Sequence, residues 1–278
     1  MVTNPEGYYV DLTLGLGGHS AALLAQFPNA KLLGMDWDPQ SLSLAQARLE
    51  PYKSRVTLKQ ENFAAIAKVL DSLGIQKVDG FLFDCGTSSY QILNRPLGLS
   101  YQRDEPLDMR LGENYSLTVA QIIKNASESE LIAIFQNLGE LSFPIARKTA
   151  REILSARSKE PMETTGALVR VLDRVAGNRK VWAQIFQALR ITVNHELENL
   201  ETMLQLLPKY AAPGGRIVGI SFHSLEDRIV KVAFRSFQKE GCFQILTSKP
   251  IQASQEEIQS NPKARSAKLR VVGKSRAE

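Results

Sequence analysis

The sequence predicts an α/β fold: a doubly wound, mostly parallel sheet interrupted by an all-helical insertion. Three observations carry this. The first third alternates short strand-like apolar runs with amphipathic segments, the pattern of βα units joined by right-handed crossovers. From residue 118 to about 201, apolar residues recur at helical spacing without strand alternation. A strand-like run then returns at 216–221, announced by Pro213-Gly214-Gly215, so the sheet resumes after the insertion.

Strands are expected at 8–12, 31–36, 55–59 and 78–84, with helices following from Ser20, Pro39 and Phe63. Residues 86–106, rich in Ser, Gly and Pro, read as a loop. The insertion holds helical patterns at 119–123, 131–138, 146–154 and 168–175. A helix at 225–237 and strands at 243–246 and 268–272 complete the pattern, with 252–261 as a surface loop. The expected division is therefore 1–103 for the first part of the sheet domain, 104–192 for the all-helical insertion, and 193–278 for the second part with a basic C-terminal tail.

A chain of 278 residues is long enough to bury its own core. Its 44% hydrophobic and 23% charged residues match globular averages and exclude a disordered or fibrous chain. No run approaches the roughly 18 apolar residues of a membrane span, and no secretory leader is evident. Cys85 and Cys242 stand apart, which fits a reducing cytoplasm. His19, His195 and His223 show neither zinc nor triad spacing, so no metal centre is expected. The net charge of +5 is only mildly basic, but six cations fall within residues 263–278 against the single acid Glu278. They read either as phosphate contacts or as a solvated tail, and Arg147, Lys148, Arg151, Arg170 and Arg174 carry the same two readings within the insertion.

The strongest local signal is residues 11–20 (DLTLGLGGHS), which close the first strand and open the first helix. Glycines there permit positive φ and close backbone approach, and a helix N-terminus presents free N–H groups to a ligand. Gly15, Gly17 and Ser20 occupy the places of a dinucleotide fingerprint, a weak signal alone. Asp36 ends the second strand 21 residues after Gly15, placed to accept both ribose hydroxyls of an adenosine cofactor. Asp11 at the loop's mouth would repel a pyrophosphate but attract the ammonium and sulfonium of S-adenosylmethionine, which favours the sulfonium cofactor; its other reading is a turn or cap aspartate. Asp84 ends the fourth strand, so Asp11, Asp36 and Asp84 are expected to share one crevice at the carboxyl ends of the strands. Asp84 and Ser88 alternatively serve turn chemistry. His223 lies at a strand-to-helix junction that reads either as part of the active site or as a helix start with Ser224 and Asp227 as candidate caps, and Phe222 or Tyr90 either stacks on a base or fills the core.

These residues resemble the MraW family of bacterial methyltransferases. The resemblance runs nearly the whole chain, through 11–20, 36–39 (DWDP), 84–91 (DCGTSSYQ), 106–110 (PLDMR), 186–191 (FQALRI), 194–197 (NHEL), 212–216 (APGGR), 221–231 (SFHSLEDRIVK) and 261–266 (NPKARS). It implies a class I, Rossmann-like fold with S-adenosylmethionine as cofactor. It also implies methyl transfer to N4 of a cytosine in the decoding region of small-subunit (16S) ribosomal RNA. By that similarity Gly17, Gly18 and His19 form the cofactor loop, Asp36 holds the ribose and Phe63 flanks the adenine, while Asp84 and Gln91 complete the pocket. Two stretches depart from the family pattern: 139–144 (GELSFP) and 183–185 (AQI), the second removing a cation from a helix expected to face substrate.

Methyl transfer needs alignment and exclusion of water rather than a covalent intermediate. The cytosine amine is a weak nucleophile, and Asp84 or a group within 86–89, Ser88 included, is the expected acceptor for its N–H. The competing readings are a non-catalytic or retargeted RNA-binding assembly factor and an NAD-dependent oxidoreductase, which shares the glycine loop and the ribose aspartate.

Overall fold

The structure is a computed structural model that describes residues 1–112 and 115–276. The chain divides into two units, Met1–Gly86 with Leu197–Glu278 and Thr87–Glu196.

The first unit is built on strands β1 (Tyr8–Asp11), β2 (Lys31–Asp36), β3 (Val56–Gln60), β4 (Val78–Asp84), β5 (Ala211–Ser221), β6 (Phe243–Ile245) and β7 (Lys268–Lys274). Helices α1 (Gly18–Gln26), α2 (Pro39–Leu49) and α3 (Ile66–Ser72) lie before the other unit in sequence; α10 (Glu196–Tyr210), α11 (Ser224–Lys239) and α12 (Gln255–Ser260) follow it. The strand order is β3-β2-β1-β4-β5-β7-β6, with β1 to β5 mutually parallel where they pair and β7 antiparallel to both neighbours. This is the class I methyltransferase order that the resemblance implies.

Strand pleating explains how one short sequence serves both faces. Tyr9 and Leu32 pack with Leu23, Leu24, Ala45 and Leu49 of α1 and α2. Their neighbours Val10 and Leu33 pack with Ile66, Leu70, Met203, Leu207, Val230 and Phe234 of α3, α10 and α11. Gly219 of β5 marks how closely the latter face is filled, since a Cβ there would fall 2.2 Å from the Phe83 ring.

The second unit holds α4 (Ser89–Asn94), α5 (Val119–Asn125), α6 (Glu128–Asn137), α7 (Phe143–Arg157), α8 (Thr165–Val175) and α9 (Arg179–Asn194). Sequence chemistry sets several starts: Ser88/Gln91, Thr118/Gln121 and Ser127/Glu130 form reciprocal capping boxes at α4, α5 and α6. The core gathers Leu131, Phe135, Ile153, Leu168, Leu172, Ile185 and Leu189, and the fully buried Asn194 amide bonds Leu111 N–H and Met109 C=O. The two departures from the family pattern meet here, because Gln184 Nε2 donates to Gly139 C=O at 3.0 Å.

Gly98 in this unit combines φ +69° with a Cβ direction 2.3 Å from the Pro106 carbonyl oxygen, a backbone atom held by the Pro106–Thr164 bridge. Gly98→Ala is expected to destabilise by at least about 3 kcal/mol through left-handed strain and overpacking. Gly177→Ala, with nothing within 4 Å of its Cβ position, serves as the near-neutral comparison in urea unfolding.

Four expectations change. The loop at 86–106 contains α4, because Ser88 and Gln91 satisfy its first N–H groups. The loop at 252–261 contains α12, capped by Ser254 with Glu256 and Glu257 in its first turn. The turn at 212–215 lies inside β5, as an irregularity where the pairing shifts between Val78 and Gly80 and Gly214 takes φ +77°. The basic tail is largely a strand: Lys268, Arg270 and Lys274 belong to β7, with Arg270 buried and Lys274 Nζ donating to the C=O groups of Pro208 and Ala211. Glu278 lies outside the described residues. Among the described residues no helix is long and apolar enough to cross a membrane.

Candidate active site

β1 lies between β2 and β4, so the strands that end in Asp11, Asp36 and Asp84 are neighbours. The loop between β1 and α1 ties the outer two together. Gly15 N–H donates to Asp36 Oδ2 at 2.7 Å, and Asp84 N–H donates to Thr13 Oγ1 at 2.6 Å. Gly17 takes φ 74° as the N-cap of α1, which has no side-chain cap, leaving first-turn N–H groups available to a ligand. Beside Gly15 a Cβ would have its nearest neighbour 4.0 Å away, and beside Gly18 3.6 Å away, so the loop presents backbone with room against it.

Asp11 performs the turn role that the sequence left open. Its oxygens accept Ser20 O–H at 2.7 Å and Thr13 N–H at 3.3 Å, both within the loop it braces. Burial raises its pKa, against the lowering effects of Ser20, His19 and the Thr13 N–H.

Asp36 is pushed up to about 6, first by burial and against the N–H groups of Asp38 and Gly15. Each of its oxygens accepts one backbone N–H, Oδ1 from Asp38 at 2.9 Å and Oδ2 from Gly15, so each retains a lone pair for a further donor. The fully buried Asp38 fixes the next helix by accepting Gln40 N–H and Ser41 O–H.

Asp84 Oδ1 is buried with no hydrogen-bond partner among the described residues, while Oδ2 lies 3.6 Å from His19 Nε2. The Asp84 carboxylate is the chief cause that raises the His19 pKa, outweighing desolvation. A buried acceptor without a donor is expensive unless a ligand supplies one.

Phe63 follows β3 in a short 3-10 turn capped by Asn62, half-buried, with its ring 6.2 Å from that of Trp37. Ser88 and Gln91 belong to the second unit. There Ser88 Oγ accepts Gln91 N–H at 3.1 Å and Gln91 Oε1 accepts Ser88 N–H at 3.0 Å, so the two form the reciprocal cap of α4.

The rim residues of β5 also differ from expectation. The N-cap of α11 is His223 rather than Ser224, and its reciprocal partner is Glu226 rather than Asp227. Glu226, buried, accepts Phe222 N–H at 2.8 Å and His223 N–H at 3.4 Å, while Asp227 pairs with Arg270. Phe222 lies beside Gly86, whose Cβ direction passes 3.8 Å from its ring. Thr13, Trp37 and Glu226 escaped the sequence reading. Only Glu226 carried a signal, three residues after a capping position.

Of the insertion cations expected to clamp RNA, four have partners within their own unit. Lys148 donates to Val175 C=O, Arg151 and Arg147 face Glu128, and Arg174 faces Glu152. Those contacts favour a structural role for the four.

The family model described as the MraW methylase family matches residues 1–275. The Ribosomal RNA small subunit methyltransferase H of Desulfotalea psychrophila is 43% identical over 277 residues, covering 97% of this chain and 92% of that protein. Its counterpart in Kosmotoga olearia is 44% identical over 275 residues, covering 96% and 91%. That of Cyanothece sp. is 43% identical over 272 residues, covering 96% and 88%.

The methyl donor is S-adenosylmethionine, and the residues fit it. The ribose diol offers two O–H donors for the remaining lone pairs of Asp36, the uncapped start of α1 suits a carboxylate, and the strand-end carboxylates suit a cationic ammonium and sulfonium. A pyrophosphate would instead meet Asp11, Asp36 and Asp84 together. With the match running through the glycine loop, the strand-end aspartates and both units, the chain belongs to the MraW methylase family.

Proposed function

We propose that this protein methylates N4 of a cytosine in the decoding region of small-subunit ribosomal RNA. The partnerless Asp84 Oδ1 carries the chemical part of this reading, because a buried acceptor at the carboxyl end of β4 suits an N–H donor. The names of the relatives support the RNA part. Bound S-adenosylmethionine supplies an electrophilic methyl group on a sulfonium.

The chain's own residues then have distinct tasks. Asp36 and the backbone of Gly15 to Gly18 hold the nucleoside and amino-acid ends, and Phe63 offers an aromatic surface to the adenine. Asp84 Oδ1 accepts an N–H of the cytosine amine, localising its lone pair and taking up the proton that the amine sheds. His19 steadies the other carboxylate oxygen. The second unit, whose helix α4 Ser88 and Gln91 cap, serves substrate recognition. The base leaves any stack to be reached, which suits an irregular RNA region. A ribosomal substrate places this work in the cytoplasm, with no membrane or metal required.

The test is transfer of labelled methyl to small ribosomal subunits from cells lacking this protein, followed by nucleoside analysis. Labelled N4-methylcytidine is the expected product. Label on another nucleoside overturns the cytosine assignment, and cofactor binding without labelled RNA overturns the ribosomal substrate.

A further inference from the structure

A small cleft in the first unit lies between α11 and the β6–β7 edge, lined by Lys231, Phe234, Arg235, Ile245, Thr247, Ser248 and Arg270. Three of these side chains are cations and two are hydroxyls. Asp227, Lys231 and Arg235 recur every four residues and share one face of α11. Arg270 reaches that face from β7, its guanidinium held by Asp227 through Nε to Oδ1 at 2.7 Å and Nη2 to Oδ2 at 3.2 Å. Lys268 Nζ lies 3.5 Å from the same carboxylate, so two cations already answer Asp227. Thr247 Oγ1 accepts Val271 N–H at 2.9 Å, which leaves its O–H to donate. Among the described residues Lys231 and Arg235 make no ion pair or hydrogen bond, and both are exposed.

Two unanswered cations beside a fixed guanidinium repel one another unless an anion lies between them. Phosphate matches that demand: a planar guanidinium fork, an ammonium point charge and short hydroxyl donors all suit its oxygens. The position is also apt. Arg270 pairs with Gly219 and Gly219 with Phe83, the residue before Asp84, so two strand spacings of about 4.8 Å each separate that level of β4 from Arg270.

We propose that this cleft binds a backbone phosphate of the RNA strand whose cytosine is methylated. The assignment rests on the function proposed above and extends it to a contact outside the cofactor residues. It also gives the sheet unit an RNA contact of its own, where most of the insertion's cations are otherwise engaged.

The experiment uses the full-length protein carrying Lys231→Gln and Arg235→Gln, two exposed helix positions that leave the Arg270–Asp227 pair intact. Lys53→Gln, which removes an exposed cation elsewhere on the unit, is the control. Binding of unmodified small-subunit RNA is measured against salt, alongside cofactor affinity and steady-state kinetics. The double variant is expected to bind RNA about tenfold more weakly, with the slope of log K against log salt shallower by about 0.7 for one lost phosphate contact. KM for RNA rises while cofactor Kd and kcat at saturating RNA stay unchanged.

An RNA affinity and salt slope equal to those of the Lys53→Gln control overturn the cleft assignment. A fall in kcat or cofactor affinity of the same size also overturns it, since that reports a disturbed fold. If the wild-type protein binds RNA but labels no cytosine, the proposed reaction fails while the binding comparison still decides the cleft. A wild-type protein that binds no RNA overturns both.

Discussion

Asp84→Ala is expected to lower the rate of methyl transfer by about three orders of magnitude, within the range that a positioned acid or base contributes. The geometry that gives this expectation also predicts what the substitution leaves intact. Asp84 Oδ1 has no hydrogen-bond partner, and the contact of Oδ2 with His19 is long at 3.6 Å. The backbone N–H that bonds Thr13 survives any side-chain change. Removal of the carboxylate therefore strands no donor in the core, and thermal stability should hold or rise slightly. Asp84→Asn keeps the shape but not the charge and should fall between the two. Because the Asp84 backbone is bonded to the loop between β1 and α1, cofactor Kd is measured separately by calorimetry. A large loss of rate with cofactor affinity changed less than tenfold places Asp84 on the amine. A loss confined to affinity places it on the cofactor, and a folded variant with near-normal rate on RNA removes it from the chemistry. The His19 titration gives a readout independent of turnover, since loss of the Asp84 carboxylate should lower its pKa.

How much of this was legible in the sequence depended on how local the determining contacts are. Asp11, Asp36 and Asp84 were found because each ends a strand whose apolar run is readable by itself, and parallel topology brings such ends together. Thr13 was invisible because its partner, the Asp84 N–H, lies 71 residues away. The fate of Lys268 and Arg270 had the same cause. A run of cations beside apolar residues looks solvated until it pairs with β5, which turns Arg270 inward onto Asp227. The reverse error occurred at α4, where Ser88 and Gln91 carried a complete local capping signal three residues apart. Surrounding glycine and proline gave the segment the composition of a loop. Local chemistry was the better guide to the cap.

The second large effect concerns Asp36, whose pKa of about 6 makes cofactor binding depend on pH. A carboxylate receives both hydroxyls of a ribose, whereas its protonated form must give up one acceptor site. Affinity for S-adenosylmethionine should therefore be constant above about pH 6 and fall up to tenfold per pH unit below it, with proton release on binding near pH 5.5 measurable by calorimetry in buffers of different ionisation enthalpy. Asp36→Asn should remove that dependence and weaken binding by about 100-fold, the value of two charge-assisted hydrogen bonds at the low end of their range. Stability moves in the opposite sense. A carboxyl that holds its proton up to about 6 when folded, against an ordinary value of 3.8, contributes stability that is full below about pH 4 and lost as pH rises through 6. That difference corresponds to about 3 kcal/mol of desolvation strain at neutral pH, and cofactor hydroxyls would relieve part of it. Urea unfolding of the cofactor-free protein between pH 4 and 7 should show wild-type stability falling relative to Asp36→Asn across this window. The comparison cancels Asp11 and His19, whose raised pKa values act with the same sign in both proteins. Cofactor affinity that is flat from pH 5 to 7 in the wild type would overturn the coupling between the Asp36 titration and ribose binding.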